Sequence, residues 1–127
     1  MEKSRLILII PHYNCPKQLD ESIASIDEQI DVDILIVDDG SDIKPHQEFL
    51  EQSYRFGNIF FESLKVNSGI GIALNLGIDI VLKMGYELIG RLDCGDLFVK
   101  DKCFKQINYL DAHEDVKLLG TWANVID

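Results

Sequence analysis

Four short polar groups stand where apolar runs end: Tyr13-Asn14, Asp38-Asp39, Asn67-Ser68 and Asp93 to Asp96. Gly40-Ser41 follows the first acidic pair and lets the backbone turn sharply after it. A carboxylate at such a turn can accept a hydrogen bond from the imide N–H of uracil or thymine, a bond strengthened by the acceptor's charge. It can equally cap the turn through its own backbone. We expect one carboxylate of the pair to be structural and the other to face a ligand. Asp93 and Asp96 are the candidate metal ligands, because hard divalent cations take oxygen donors and share them with phosphate. Taken alone, Asp-x-x-Asp reads more simply as a turn with Gly95 supplying the special backbone angle.

Other candidates are weaker. Gly69-Ile70-Gly71 opens like a dinucleotide loop, but Leu74 stands where the third glycine belongs, and no phosphate-binding P-loop is present. His12, His46 and His113 are scattered and are expected on the surface or packed. Trp122 is expected to pack. Cys15, Cys94 and Cys103 are odd in number and lack Cys-x-x-Cys spacing, which supports neither a disulfide framework nor a zinc site. Acidic neighbours on both sides of Cys94 should raise its thiol pKa and make it a poor nucleophile.

Those groups need a scaffold that brings them to one place. Strand-like runs cover Arg5 to Ile10 (stopped by Pro11), Asp33 to Val37, Asn58 to Glu62, Tyr86 to Leu92 and Val116 to Gly120. Between them lie helical patterns. The first opens at Pro16, with Leu19, Ile23, Ile26 and Ile30 at helical spacing; a polar one covers His46 to Tyr54. An apolar one runs from Gly69 to Lys83 with Gly85 at its end, and a last one is capped by Asp101. Alternating strands and helices predict an α/β fold, doubly wound, with a mainly parallel sheet and helices on both faces. Ligands in such sheets bind at the C-terminal strand ends, where all four polar groups fall.

The 127 residues suit one domain with one core. With 46% hydrophobic residues and 27% charged, a disordered chain is excluded. The net charge of −10 argues against nucleic-acid binding or polybasic membrane anchoring. A bound metal ion would nevertheless let so acidic a protein hold an anionic nucleotide. The apolar run Leu6 to Ile10 is too short for a signal peptide or a membrane span, which predicts a cytoplasmic location.

The motifs in order resemble the N-terminal half of a family 2 glycosyltransferase with the GT-A fold. They are Ile9-Ile10-Pro11-His12-Tyr13-Asn14, Ser22 to Gln29, Ile36 to Asp42, Asn67-Ser68-Gly69 with Ala73 to Ile78, and Arg91 to Asp96. Gln106, Leu110, His113 to Val116 and Leu119-Gly120-Thr121 complete the match, which covers nearly the whole chain. The resemblance implies a nucleotide-diphosphate-sugar donor, a UDP-sugar, held with Mg2+ or Mn2+. It implies transfer to a saccharide or lipid-linked acceptor in polysaccharide biosynthesis, at the cytoplasmic side and peripherally at the inner face of the membrane. By position, Asp39 contacts the base and Pro11 and Tyr13 line its pocket. Asn67 and Arg91 lie near the nucleotide, Asp93 approaches the ribose or metal, and Asp96 is a metal ligand. The family pattern at this point is Asp-x-Asp-Asp, and Gly95 replaces its middle Asp. The catalytic base of the family lies further along than residue 127, so the expectation is donor binding without efficient transfer by this chain alone.

Two rival readings share these features. A non-catalytic nucleotide-sugar-binding module would have the same donor site. A phosphoacceptor receiver domain would have a similar size and acidic pair. That pair should close its first strand, however, whereas a strand and a helix precede Asp38-Asp39 here, and no lysine ends the last strand.

Overall fold

The computed structural model describes residues 2–126. Eight elements alternate: β1 (Leu6–His12), α1 (Pro16–Ala24), β2 (Asp33–Asp39), α2 (Gln47–Ser53), β3 (Ile59–Leu64), α3 (Ile70–Lys83), β4 (Leu88–Arg91) and α4 (Lys102–Ala112). The four strands pair in parallel in the order β3-β2-β1-β4.

Every residue of β1 and β2 is buried, as expected for central strands covered on both faces. Alternation divides them. Leu6, Leu8, Ile10, Ile34 and Ile36 pack with Leu19, Ile23, Leu50 and Cys103 of α1, α2 and α4. Ile7, Ile9, Leu35 and Val37 pack with Ala73 and Val81 of α3. Helix α3 lies close on the sheet because Gly77 has no side chain: a Cβ there would come 2.8 Å from Ile9 Cγ2 and 3.2 Å from Val37 Cγ2.

The chain visits β1, β2 and β3 in order and then returns to the other side of β1. The doubly wound expectation is met, and the reversal creates a crevice between β1 and β4 at their C-terminal ends.

Pro11 does not stop β1, which continues to His12. Leu92 N–H donates to Ile9 O, so the backbone groups of Ile9 and, by alternation, Pro11 point toward β4. Strand β4 ends at Arg91, so the missing N–H of Pro11 deprives no ladder partner. Helix α1 ends at Ala24, short of Ile26 and Ile30, with the Ser25 hydroxyl donating to Ser22 O at 2.6 Å. Ile26 still reaches the core from the loop, 3% exposed. The expected strand at Val116 to Gly120 does not form. Those residues pair with none of the four strands, and Leu118 is 93% exposed, so no apolar burial holds them extended against the sheet. Trp122 is likewise fully exposed and does not pack.

The start of α4 is also held differently from the expectation. Asp101 stands at the N-cap position, its O accepting Lys105 N–H at 3.0 Å, but it adopts a left-handed conformation, φ 60°, and its carboxylate accepts Gln29 N–H at 2.9 Å, so its side chain caps no helix N–H. The cap comes from the α1–β2 loop: Glu28 accepts Cys103 N–H and Phe104 N–H, both at 2.9 Å. Glu28 is only 7% exposed, and its charge complements the positive helix end. Removing it in Glu28→Ala strands two helix N–H groups. The variant should lose about 1–3 kcal/mol of stability, with Glu28→Gln intermediate, as read from urea unfolding midpoints.

Candidate functional site

Adjacent strand residues face opposite sides of a sheet, and Asp38 and Asp39 divide accordingly. Asp38 lies opposite His12 in the β1–β2 register. His12 Nδ1 is 2.9 Å from Asp38 Oδ1, and the Ser41 hydroxyl donates to the same oxygen. His12 Nε2 accepts Cys15 N–H at 3.1 Å, which places the ring proton on Nδ1, facing the carboxylate. Ser41 Oγ also accepts Asn14 N–H at 2.9 Å. Ser, His and Asp meet here, yet both imidazole nitrogens are committed and His12 is 1% exposed. The cluster is a buried clasp between the ends of β1 and β2. It is no catalytic triad, in line with the expectation of a packed histidine.

Asp39 faces the α3 side. Its Oδ1 accepts Ser68 N–H at 2.8 Å, and its Oδ2 accepts Asn67 Nδ2 at 2.9 Å and Gly69 N–H at 3.0 Å. One carboxylate thus organises the loop that opens α3. Three of its roughly four acceptor positions are used, leaving one on Oδ1. Gly40 makes the approach possible: at φ 65°, a Cβ on it would fall 2.4 Å from Asn67 N. Both acidic residues therefore carry structural bonds. Asn14, in the left-handed region at φ 53°, accepts Ile43 N–H through its side chain at 2.9 Å and fixes the loop that presents Tyr13, 48% exposed, at the rim. Beside these loops, a cavity of ≈ 460 Å³ is lined by Gly40, Ser41, Lys44, Ser63 and Lys65, among others.

Across β1, the Asp93–Asp96 turn forms the other wall. Asp96 N–H donates to Asp93 O at 3.0 Å around Gly95, whose φ of 94° suits the third position of a type II turn. The buried Ser22 hydroxyl accepts Gly95 N–H at 2.8 Å and donates to Asp93 O at 3.3 Å, tying the turn to α1. Arg91 pairs with Asp93 through Nε at 2.7 Å and a second nitrogen at 3.2 Å. Asp96 is exposed and makes no side-chain bond among the described residues. Burial pushes the Cys94 thiol pKa up, followed by the neighbouring Cys15 thiol; Asp93 is the smallest cause. The expected direction holds, but its main cause is burial.

The structure therefore joins Asp39 to Asn67 and Arg91 to Asp93, with the end of β1 carrying Pro11 and Tyr13 between them. Strand spacing separates the two walls by about 10 Å. The positioning roles of His12, Ser41 and Ser22 were missed from the sequence; only the strand register, which sets His12 opposite Asp38, could have signalled the first. No group of three or more His, Cys, Asp or Glu gathers to hold a metal ion among the described residues. The larger cavity, ≈ 500 Å³, lies apart, between α1 and α2.

The family model for glycosyl transferase family 2 matches residues 7–126. The chain belongs to this family. Its sequence is also similar to the bifunctional glycosyltransferase pgtA of Dictyostelium discoideum, 32% identical over 102 residues that make up 78% of this chain and 13% of that protein. Among solved structures, S. aureus TarS superposes with a TM-score of 0.72 at 21% identity, over 86% of this chain and 20% of that one. The structure of TarS residues 1–349 gives 0.73 at 21% identity, over 86% and 33%. The likeness to TarS establishes a shared fold. The chain thus spans a small part of these relatives' lengths. Family membership, and an acidic pair that closes β2 after a complete β1, dispose of the receiver-domain alternative.

Asp39→Asn turns an amide donor toward groups that are themselves donors. It should loosen the 67–69 loop, raising the amide exchange rates of Ser68 and Gly69 by on the order of tenfold, equivalent to about 1.4 kcal/mol. Unchanged exchange would show that the carboxylate does not hold the loop.

Proposed function

We propose that this family 2 domain binds a nucleoside-diphosphate sugar, a UDP-sugar, across the β1–β4 crevice for transfer to a saccharide or lipid-linked acceptor. The observation that carries the reading is the placement of Asp39 and the Arg91–Asp93 pair on opposite sides of the end of β1. In this reading the free acceptor position on Asp39 Oδ1 takes the imide N–H of uracil. Tyr13 and Pro11 wall the ring, and Asn67 fixes the carboxylate that reads it. The same bonds that order the loop preorganise the acceptor, so little ordering remains for the ligand to drive.

The donor set suits a hard divalent cation, Mg2+ or Mn2+. Two carboxylates lie at one turn, and Asp96 has no other side-chain partner among the described residues. So few protein ligands fit an ion that completes its shell with water and phosphate oxygens. Asp96 is the principal ligand, with Asp93 contributing from its pair with Arg91. The bound ion supplies Lewis-acid stabilisation of the charge on a departing diphosphate. Arg91 adds a fixed positive charge at the same wall, and the Ser22 bonds keep the turn in place. Nothing in this reading requires a membrane span, and no helix among the described residues is long and apolar enough to cross one.

Calorimetric titration with UDP tests the assignment. With manganese present, the wild-type chain should bind, and Asp96→Ala should bind on the order of tenfold more weakly or worse. Equal binding without metal and in the variant would remove Asp96 from the site.

A further inference from the structure

Helices α1 and α2 cover the same face of the sheet and send Leu19, Ile23 and Leu50 into one core. They do not close fully on each other. A cavity of ≈ 500 Å³ stays between them, a size suited to a small organic molecule. Ile23, Ile26, Leu50, Tyr54 and Phe56 form its walls, and Phe49, 56% exposed, borders it at the surface. The Tyr54 hydroxyl donates to Val32 O, so the residue offers the cavity its ring. That ring meets Phe56 edge to face, with centroids 6.2 Å apart.

Asp20 stands in this apolar wall, its side chain 23% exposed. Its Oδ2 lies 2.6 Å from His46 Nδ1 and ties α1 to the start of α2. Its Oδ1 is buried and has no hydrogen-bond partner among the described residues. A buried acceptor left without a donor is costly, and native structures seldom leave one. A lone water there would find few further polar partners on walls so apolar. A ligand that carries an N–H donor on an apolar body meets both demands at once. Glu21, next along α1, adds a second negative charge at the cavity. Arg55 also lines it but is exposed, where solvent screens its charge.

We propose that the cavity between α1 and α2 is a binding site for a small arylalkyl amine in its ammonium form. The ammonium donates to Asp20 Oδ1, a bond strengthened by the charges of both partners. The aryl group displaces water from Leu50, Phe49 and Tyr54. The two aromatic rings also favour a cation held close to them. None of the residues assigned to the nucleotide or the cation takes part, so the site stands or falls apart from the function proposed above.

Titration of the isotope-labelled chain, followed by amide chemical shifts, tests the site with three probes of similar shape. Phenethylamine should bind, with its largest shifts at Asp20, Ala24, Phe49 and Leu50. Phenethyl alcohol and the anion hydrocinnamate should each bind at least about fivefold more weakly, because the charged hydrogen bond is lost. Asp20→Asn should bind the amine and the alcohol within about twofold of each other. Ala24 is exposed and lines the cavity, so Ala24→Phe should fill it and abolish binding of all three probes without disturbing the rest of the spectrum. Should Asp20→Asn fail to fold, the wild-type preference and Ala24→Phe decide together. Absence of amine binding, shifts centred elsewhere, or full binding by Ala24→Phe overturns the site. An alcohol or hydrocinnamate affinity equal to that of the amine, or a preference that survives in Asp20→Asn, overturns the ammonium as the ligand class.

Discussion

Consecutive side chains on a strand cannot face the same side of a sheet, and the site is built on that constraint. Asp38 and Asp39 end a strand buried on both faces, so the first turns toward α1 and the second toward α3. Asp38 meets His12 and Ser41 and joins the ends of two strands. Asp39 meets the N–H groups that open α3. Two identical side chains thus do different work because the pleat sends them apart. A shift of one residue in the β1–β2 register would exchange their surroundings and undo both clusters.

Much of this was readable in the sequence because it follows from periodicity. The β-branched runs of β1 and β2, the apolar stripe of α3 and the polar groups at strand ends all express local rules. What escaped depends on contacts between distant segments. Asp101 has the composition and place of an N-cap, yet Glu28 fills the role, because the α1–β2 loop delivers a carboxylate to two amides across the fold. Ile26 and Ile30 continue a helical spacing past the end of α1, since a residue can reach the core from a loop and keep the pattern. Val116 to Gly120 has the composition of a strand, but composition cannot supply a pairing partner. At the site, sequence order identified the loops that converge. It did not show that Asp39 holds the 67–69 loop or that Arg91 holds Asp93, because both bonds depend on side-chain direction.

The acidity of the chain is balanced locally. Arg91 lies against Asp93, and Lys44 and Lys65 line the cavity beside the Asp39 loop. Arg5 pairs with both Glu87 and Asp111, joining the start of β1 to the end of α4 at the opposite end of the sheet and holding both carboxyls below their ordinary pKa range. These pairs are exposed and solvent-screened, so they contribute orientation more than stability.

Gly40 shows where such a domain is least able to vary. Its backbone angle disfavours any side chain, and its open face is filled by the backbone of Val66 and Asn67. A replacement would meet two objections at once, and relief of one would not relieve the other. Because the contact is with main chain, no compensating substitution at residue 66 or 67 could make room. The residue with no functional group is therefore the one whose neighbourhood offers the fewest evolutionary exits, while the charged residues around it can be exchanged at the cost of a bond.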